Sequence, residues 1–241
     1  MQTKPFFLRI AVVMAAVMLT LCGAWVTQRR AGRAVPAAVG STPPSRVIVL
    51  DAGHGGIDGG CSSAAGDVEK NINLAILLDL RELLEASGYT VIVTRDTDRS
   101  IHDEGVEGIA NQKGSDMDNR LGIFNSVEDA LCISIHQNQF TDPQYSGAQM
   151  FYADTNPESE ALARMLQTQF VRFLQPDNTR EIKLCGKELF LCYYSENPTV
   201  MCECGFLSNP QEAALLVTEE YQQKVAFTIY AAIVQYTVDR S

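Results

Sequence analysis

Of the three histidines in the chain, two stand where an apolar run gives way to small or polar residues. His54 closes Val47-Ile48-Val49-Leu50-Asp51-Ala52-Gly53-His54-Gly55-Gly56, among glycines that let the backbone approach a neighbour closely. His136 closes Ile133-Ser134-Ile135 and is followed by Gln137-Asn138. Glu69 lies just before an amphipathic stretch that opens at Asn71, and Glu203 ends Thr199-Val200-Met201-Cys202-Glu203. Two imidazoles and one carboxylate suit zinc, one ion per chain, and three protein ligands leave a fourth position for water. A metal so held brings the pKa of water to about 7 and polarises a carbonyl. Such a hydrolase also needs a group that takes a proton from water and hands it to a leaving nitrogen. Glu203, in apolar company that raises its pKa, is the candidate for that role.

Each residue taken singly has a plainer reading. A lone histidine after a strand is more often a satisfied structural residue than a ligand. The glycine run lacks the Gly-Lys-Ser/Thr ending of a phosphate-binding loop, and no Gly-x-Gly-x-x-Gly opens directly into a helix. Cys202 and Cys204 flank Glu203, but in an extended strand they point away from it and read as core packing. His102 falls in a polar loop and reads as solvated. Spacing alone therefore leaves a zinc site and a structural role both open.

The elements that must position these residues follow from periodicity. Short apolar runs at 47–50, 90–94 and 131–135 read as strands covered on both faces. Helical spacing runs over 71–87, stopped by Gly88, and a second helix is expected at 116–127 after a long polar loop at 95–115. Further strands are expected at 147–152, 190–194 and 199–203. Helices are expected at 157–174, with Pro157 in the first turn, and at 219–236. Strand–helix alternation predicts an α/β fold, a single domain with a twisted, mostly parallel sheet and helices on both faces, of the zinc-hydrolase type. In such sheets ligands bind beyond the strand ends, where both histidines and Glu203 fall.

The 241 residues suffice for one sizeable core. Six of the nineteen basic residues and none of the twenty-nine acids lie in residues 1–46, which leaves about −16 on the remainder. A domain that acidic repels phosphate backbones, so no nucleic acid partner is expected. The uncharged apolar run from Ile10 to Val26 approaches the ~17–25 residues that cross a bilayer. Residues 1–26 therefore read as a membrane anchor or a cleaved signal segment, 27–45 as a Pro/Gly/Ser/Thr/Ala linker, and 46–241 as the catalytic domain. Seven scattered cysteines do not look like a disulfide framework.

Taken together, the segments resemble the zinc-dependent N-acetylmuramoyl-L-alanine amidases of bacteria, the amidase 3 family. The resemblance covers nearly all of 46–235. It is carried by LDAGHGG at Leu50–Gly56, Glu69-Lys70, TRDTD at Thr94–Asp98, SIHQN at Ser134–Asn138, SGAQMFY at Ser146–Tyr152 and CECGFLSNPQE at Cys202–Glu212. The DMDNR segment at 116–120 and Asn178-Thr179-Arg180 are similar to the family's sporulation members, which act in spore-cortex (muramic-δ-lactam) formation. The resemblance implies His54, Glu69 and His136 as zinc ligands and Glu203 as the catalytic residue. It also implies Asn138 and Arg120 as supporting or substrate-contact positions, peptidoglycan as substrate, extracytoplasmic action and, as for some relatives, an activating partner protein. Cys202, Cys204 and Gln137 depart from the residues usual in the family. A zinc peptidase, a non-catalytic wall-binding domain and a nucleotide-binding domain are the alternatives. The first uses the same chemistry, the second predicts a missing ligand or base, and the third is disfavoured by the glycine loop and the charge.

Overall fold

In a computed structural model, which describes residues 46–239, the first apolar run forms strand β1, Ile48–Ala52, buried along its whole length. Helix α1, Glu69–Ala86, follows with Ile72, Ile76, Leu80 and Leu84 on its buried stripe, at the spacing that puts side chains on one helix face. The chain continues as β2, Val91–Val93, α2, Ile109–Phe124, and β3, Leu131–Asn138. Then come β4, Gln149–Tyr152, α3, Pro157–Phe173, β5, Lys183–Leu184, and α4, Phe190–Tyr194. Strand β6, Thr199–Phe206, and helices α5, Pro210–Leu216, and α6, Glu219–Val238, complete the described part.

The six strands form one sheet in the order β2-β1-β3-β6-β4-β5. Strands β2, β1, β3 and β6 are mutually parallel, and β4 joins β6 antiparallel and carries β5 beside it. Alternation sorts the side chains onto two faces. Ile48, Leu50, Ile133, Ile135, Val200 and Cys202 pack in the larger core, against α1, α3 and α6. Val49 and Cys132 face the other way, against Phe124 of α2 and Leu191 of α4. Helices thus cover both faces, as the periodicity predicts.

Four elements differ from the sequence expectation, one of them the unforeseen two-residue strand β5. Phe190–Tyr194 is a helical turn and a half rather than a strand. A five-residue aromatic run has too few positions to separate a period of 2 from 3.6, and here Phe190 and Leu191 pack with Val49 and Phe124. Helix α2 begins at Ile109, seven residues ahead of the expected start, because its first turns are polar and exposed and leave no apolar stripe to read. Helix α5 had a legible start: the Asn209 side chain accepts from the Gln211 and Glu212 amides, with Pro210 at the first helical position. The expected anchor or signal at 1–26 and linker at 27–45 lie outside the described residues. Among those described, no helix is long and apolar enough to cross a membrane.

Candidate metal centre

Strand β1 stays beside β3 to its last residue, since the Gly53 amide donates to Ile135 O at 3.0 Å. This brings the end of β1 onto the His136 ring. A Cβ on Gly53 would lie 2.2 Å from that ring, so only glycine fits. The next residue, His54, adopts φ 64°, a left-handed conformation that costs a non-glycine residue about 1–2 kcal/mol. The turn swings its imidazole back towards His136, with ring centroids 5.0 Å apart and planes at 77°. Gly60, at φ +71°, leaves room where a Cβ would meet Glu69 Oε2 at 2.4 Å and the His54 ring at 2.6 Å.

Glu69 is the first residue of α1, where the helix dipole favours a carboxylate. It is 3% exposed, and three donors hold it: Cys61 N on Oε2 at 2.9 Å, and Gln137 N and Asn73 Nδ2 on Oε1 at 3.0 and 3.2 Å. His54 Nε2 stands 3.3 Å from Oε2 and His136 Nδ1 3.1 Å from Oε1. One donor atom from each of His54, Glu69 and His136 lies within 4.8 Å of the others. His54 Nδ1 is 2.9 Å from Asp58 Oδ2, and Lys113 donates to Asp58 Oδ1 at 2.8 Å.

A buried polar frame fixes this turn. Asp51, on β1, accepts from Thr94 and Ser134, both at 2.7 Å, and from Arg120. Arg120, 1% exposed on α2, also bonds Asp116 at 2.6 Å and the carbonyls of Ala52 and His54 at 2.9 and 2.7 Å. Arg95 of the TRDTD segment donates to the carbonyls of Ala52, Gly53 and Lys70. Asp98 of the same segment accepts from Gly56 N and from Lys70 Nζ.

Glu203 is the cross-strand partner of His136, so the two side chains share a face of the sheet. Its neighbours Cys202 and Cys204 are fully buried on the opposite face, as the alternation predicts. Among the described residues, six cysteines are unpaired in disulfides. Burial pushes the Glu203 carboxyl up to about 7, and its Oε2 is buried without a hydrogen-bond partner. Burial works in the same direction on Glu69, but the two imidazoles outweigh it and hold that carboxyl well below the usual carboxylate range. The carboxylates of Glu69 and Asp58 likewise overcome burial at His54 and raise it to about 9. A cavity of about 430 Å³ opens over the cluster, lined by His54, His136, Glu203, Met117, Phe190 and Leu191 among others.

The structure therefore brings together all four residues that the spacing singles out. Arg120 stands behind His54 and holds its carbonyl. Asn138 stands at the end of β3, past a register shift, with its carbonyl accepting from Leu207 N at 2.8 Å. Asp58, Asn73 and Asp51 are site residues that sequence reasoning missed. Asp58 and Asn73 carried a local signal, each four residues after a ligand candidate, His54 and Glu69, whereas Asp51 carried none.

The cluster fits a metal better than a plain ion-pair network. Its donors are two nitrogens and a carboxylate, its rings converge into space that two glycines keep open, and an unpartnered buried carboxyl oxygen stands beside it. A buried carboxyl raised to about 7, set beside such donors at the strand ends of an α/β sheet, is the arrangement a metallohydrolase uses. The profile of the N-acetylmuramoyl-L-alanine amidase family matches residues 48–235, and the chain belongs to that family, whose members depend on zinc. It is 36% identical over 197 residues to the germination-specific N-acetylmuramoyl-L-alanine amidase of Bacillus subtilis, covering 81% of each chain. It is 28% identical to N-acetylmuramoyl-L-alanine amidase AmiA of Escherichia coli, over 79% of this chain and 76% of that one. Among solved structures it is similar to the CwlD amidase of Clostridioides difficile, determined in complex with the GerS lipoprotein. That match has 39% identity and a TM-score of 0.77, over 80% of this chain and 99% of that chain.

Proposed function

We propose that this amidase holds one zinc ion on His54, Glu69 and His136, uses Glu203 as its acid–base residue, and cleaves the bond between N-acetylmuramic acid and L-alanine in peptidoglycan. The observation that carries the reading is the Glu203 carboxyl, buried beside the cluster with one oxygen unpartnered and a pKa of about 7. Zinc bound there supplies Lewis acidity towards a carbonyl and makes water a nucleophile near neutral pH. Glu203 takes a proton from the attacking water as its oxygen bonds the lactyl carbonyl carbon. As the C–N bond breaks, Glu203 returns the proton to the departing nitrogen, leaving a carboxylate on the sugar and a free amine on L-alanine. A pKa near 7 suits both transfers. Asp58 orients His54 by accepting from Nδ1, which frees Nε2 to face Glu69. Arg120 supports the same residue through its carbonyl.

The germination-specific relative supports a role in spore cortex, and the cell-wall relatives support action outside the cytoplasm. In this reading residues 1–26 are an anchor or signal, 27–45 a linker and 46–241 the catalytic domain. The lipoprotein complex of the clostridial relative supports a partner protein for this chain too.

The test is zinc content and muropeptide turnover of the purified protein and two variants. Glu203→Gln should keep its zinc and lose roughly 10²–10⁴ in kcat. His136→Ala should lose the zinc itself. Near-normal turnover by Glu203→Gln, or products other than a lactyl sugar and a stem peptide with free N-terminal alanine, rejects the proposal.

A further inference from the structure

The part of the chain after residue 46 is strongly acidic, yet three of its cations gather within residues 180–187, at the β4–β5 edge of the sheet. None of Arg180, Lys183 and Lys187 has a carboxylate oxygen within 4.0 Å among the described residues. Each lies over an aromatic ring instead: Arg180 over Phe206 at 4.9 Å, Lys183 over Phe151 at 5.7 Å, and Lys187 over Tyr193 at 6.0 Å.

Register places the stripe on the catalytic face. Lys183 pairs with Phe151, and Phe151 with Met201, so one row of side chains runs from the edge strand to a residue lining the cavity. Two strand spacings separate its ends, roughly 10 Å. In the next row Gln149 pairs with Glu203, and Arg180 Nη2 donates to Gln149 Oε1 at 2.7 Å, while its buried Nε has no partner. Lys187 directly precedes the cavity-lining Glu188 and Leu189. Glu188 and Glu212 feel the charges of Lys183 and Arg180, but neither pairs with them, since their oxygens are taken up by backbone amides. Glu188 accepts from Gly186 N, and Glu212 from Gly147 N and Phe206 N. The charge of Glu181 is felt by Arg164 of α3, on the opposite face of the sheet.

From this we infer that Arg180, Lys183 and Lys187 form a substrate-positioning stripe that binds carboxylates of the stem peptide, beyond the alanine whose bond is cut. The inference rests on the amidase reading and adds to it a direction for the substrate: across β6 and β4 towards β5. Lysine on an edge strand also discourages edge-to-edge pairing. That role alone would alter solubility and leave substrate affinity unchanged.

The test uses the zinc-loaded full chain and two muropeptides, one with free stem-peptide carboxylates and one with those carboxylates amidated. The exposed pair Lys183→Gln/Lys187→Gln should raise KM for the free-carboxylate substrate roughly 5-fold or more, with kcat unchanged. KM for the amidated substrate should stay constant, and Lys183→Arg/Lys187→Arg should restore the wild-type value. Arg180→Gln should act in the same direction, and the lysine pair keeps the test valid should that partly buried variant misfold. An unchanged KM, or an equal rise on both substrates, overturns the inference. A labelled stem peptide titrated onto the same proteins separates the two claims. Charge-dependent binding without cleavage by the wild type sinks the amidase reading alone, and normal cleavage with charge-independent binding sinks the stripe alone.

Discussion

At Glu203, burial and the proposed acid–base role meet in one group. Desolvation lifts its carboxyl from the ordinary 4.5 to about 7. A raised folded-state pKa contributes stability that is fully present below about 4.5 and is lost as pH climbs through about 7. In the metal-free protein, Glu203→Gln removes that titration. Its stability advantage over the wild type should therefore grow between pH 5 and pH 8, towards about 3 kcal/mol, in urea melts at the two pH values. An advantage independent of pH, or one that shrinks as pH rises, contradicts this origin. At the same scale, His54, His136 and Glu203 were legible because each ends an apolar run. Glu69 was legible chiefly through its motif, since a glutamate before a helix is otherwise ordinary. Asp51 was not, because its partners lie 43 to 83 residues away and no local pattern encodes such contacts, whereas Asn73, with partners 20 and 64 residues off, also bonds Glu69 one helical turn back.

Among the elements, α2 does more for the site than its polar sequence suggests. Through Arg120 it ties Asp51, Asp116 and two carbonyls of the His54 turn into one buried network. Arg120→Ala leaves two carboxylates without their cation and should cost about 3–5 kcal/mol in chemical denaturation, together with weaker zinc retention on dialysis. A loss under 1 kcal/mol would show that the network is dispensable. The strands at the site were easy to read because β1, β3 and β6 are buried on both faces and so are mostly apolar up to their functional ends. Edge strand β5 has two residues, both exposed, and leaves no such trace. Helix α4 shows the converse: apolar enough for a strand, its Phe190–Tyr194 run is helical because the α2 side of the sheet offers it a surface to pack on rather than a strand to pair with.

At the scale of the molecule, the described residues contain a complete sheet, both helical layers and every side chain assigned to the chemistry. Removing residues 1–45 should therefore leave zinc content and kcat on soluble muropeptides within about twofold, with any loss confined to activity on intact walls. A truncated protein that fails to bind zinc would place part of the folding information upstream.

The strand order carries one further consequence. Strand β6 starts at residue 199 yet lies between β3 and β4, so the sheet stays divided until the last fifth of the chain arrives. A nascent polypeptide holds both imidazoles and the Glu69 carboxylate long before it holds Glu203. In the proposed arrangement the metal ligands are complete once residue 136 is made, and the acid–base residue follows only with β6. On the proposed roles, an amidase of peptidoglycan gains its acid–base residue only after its metal ligands are in place.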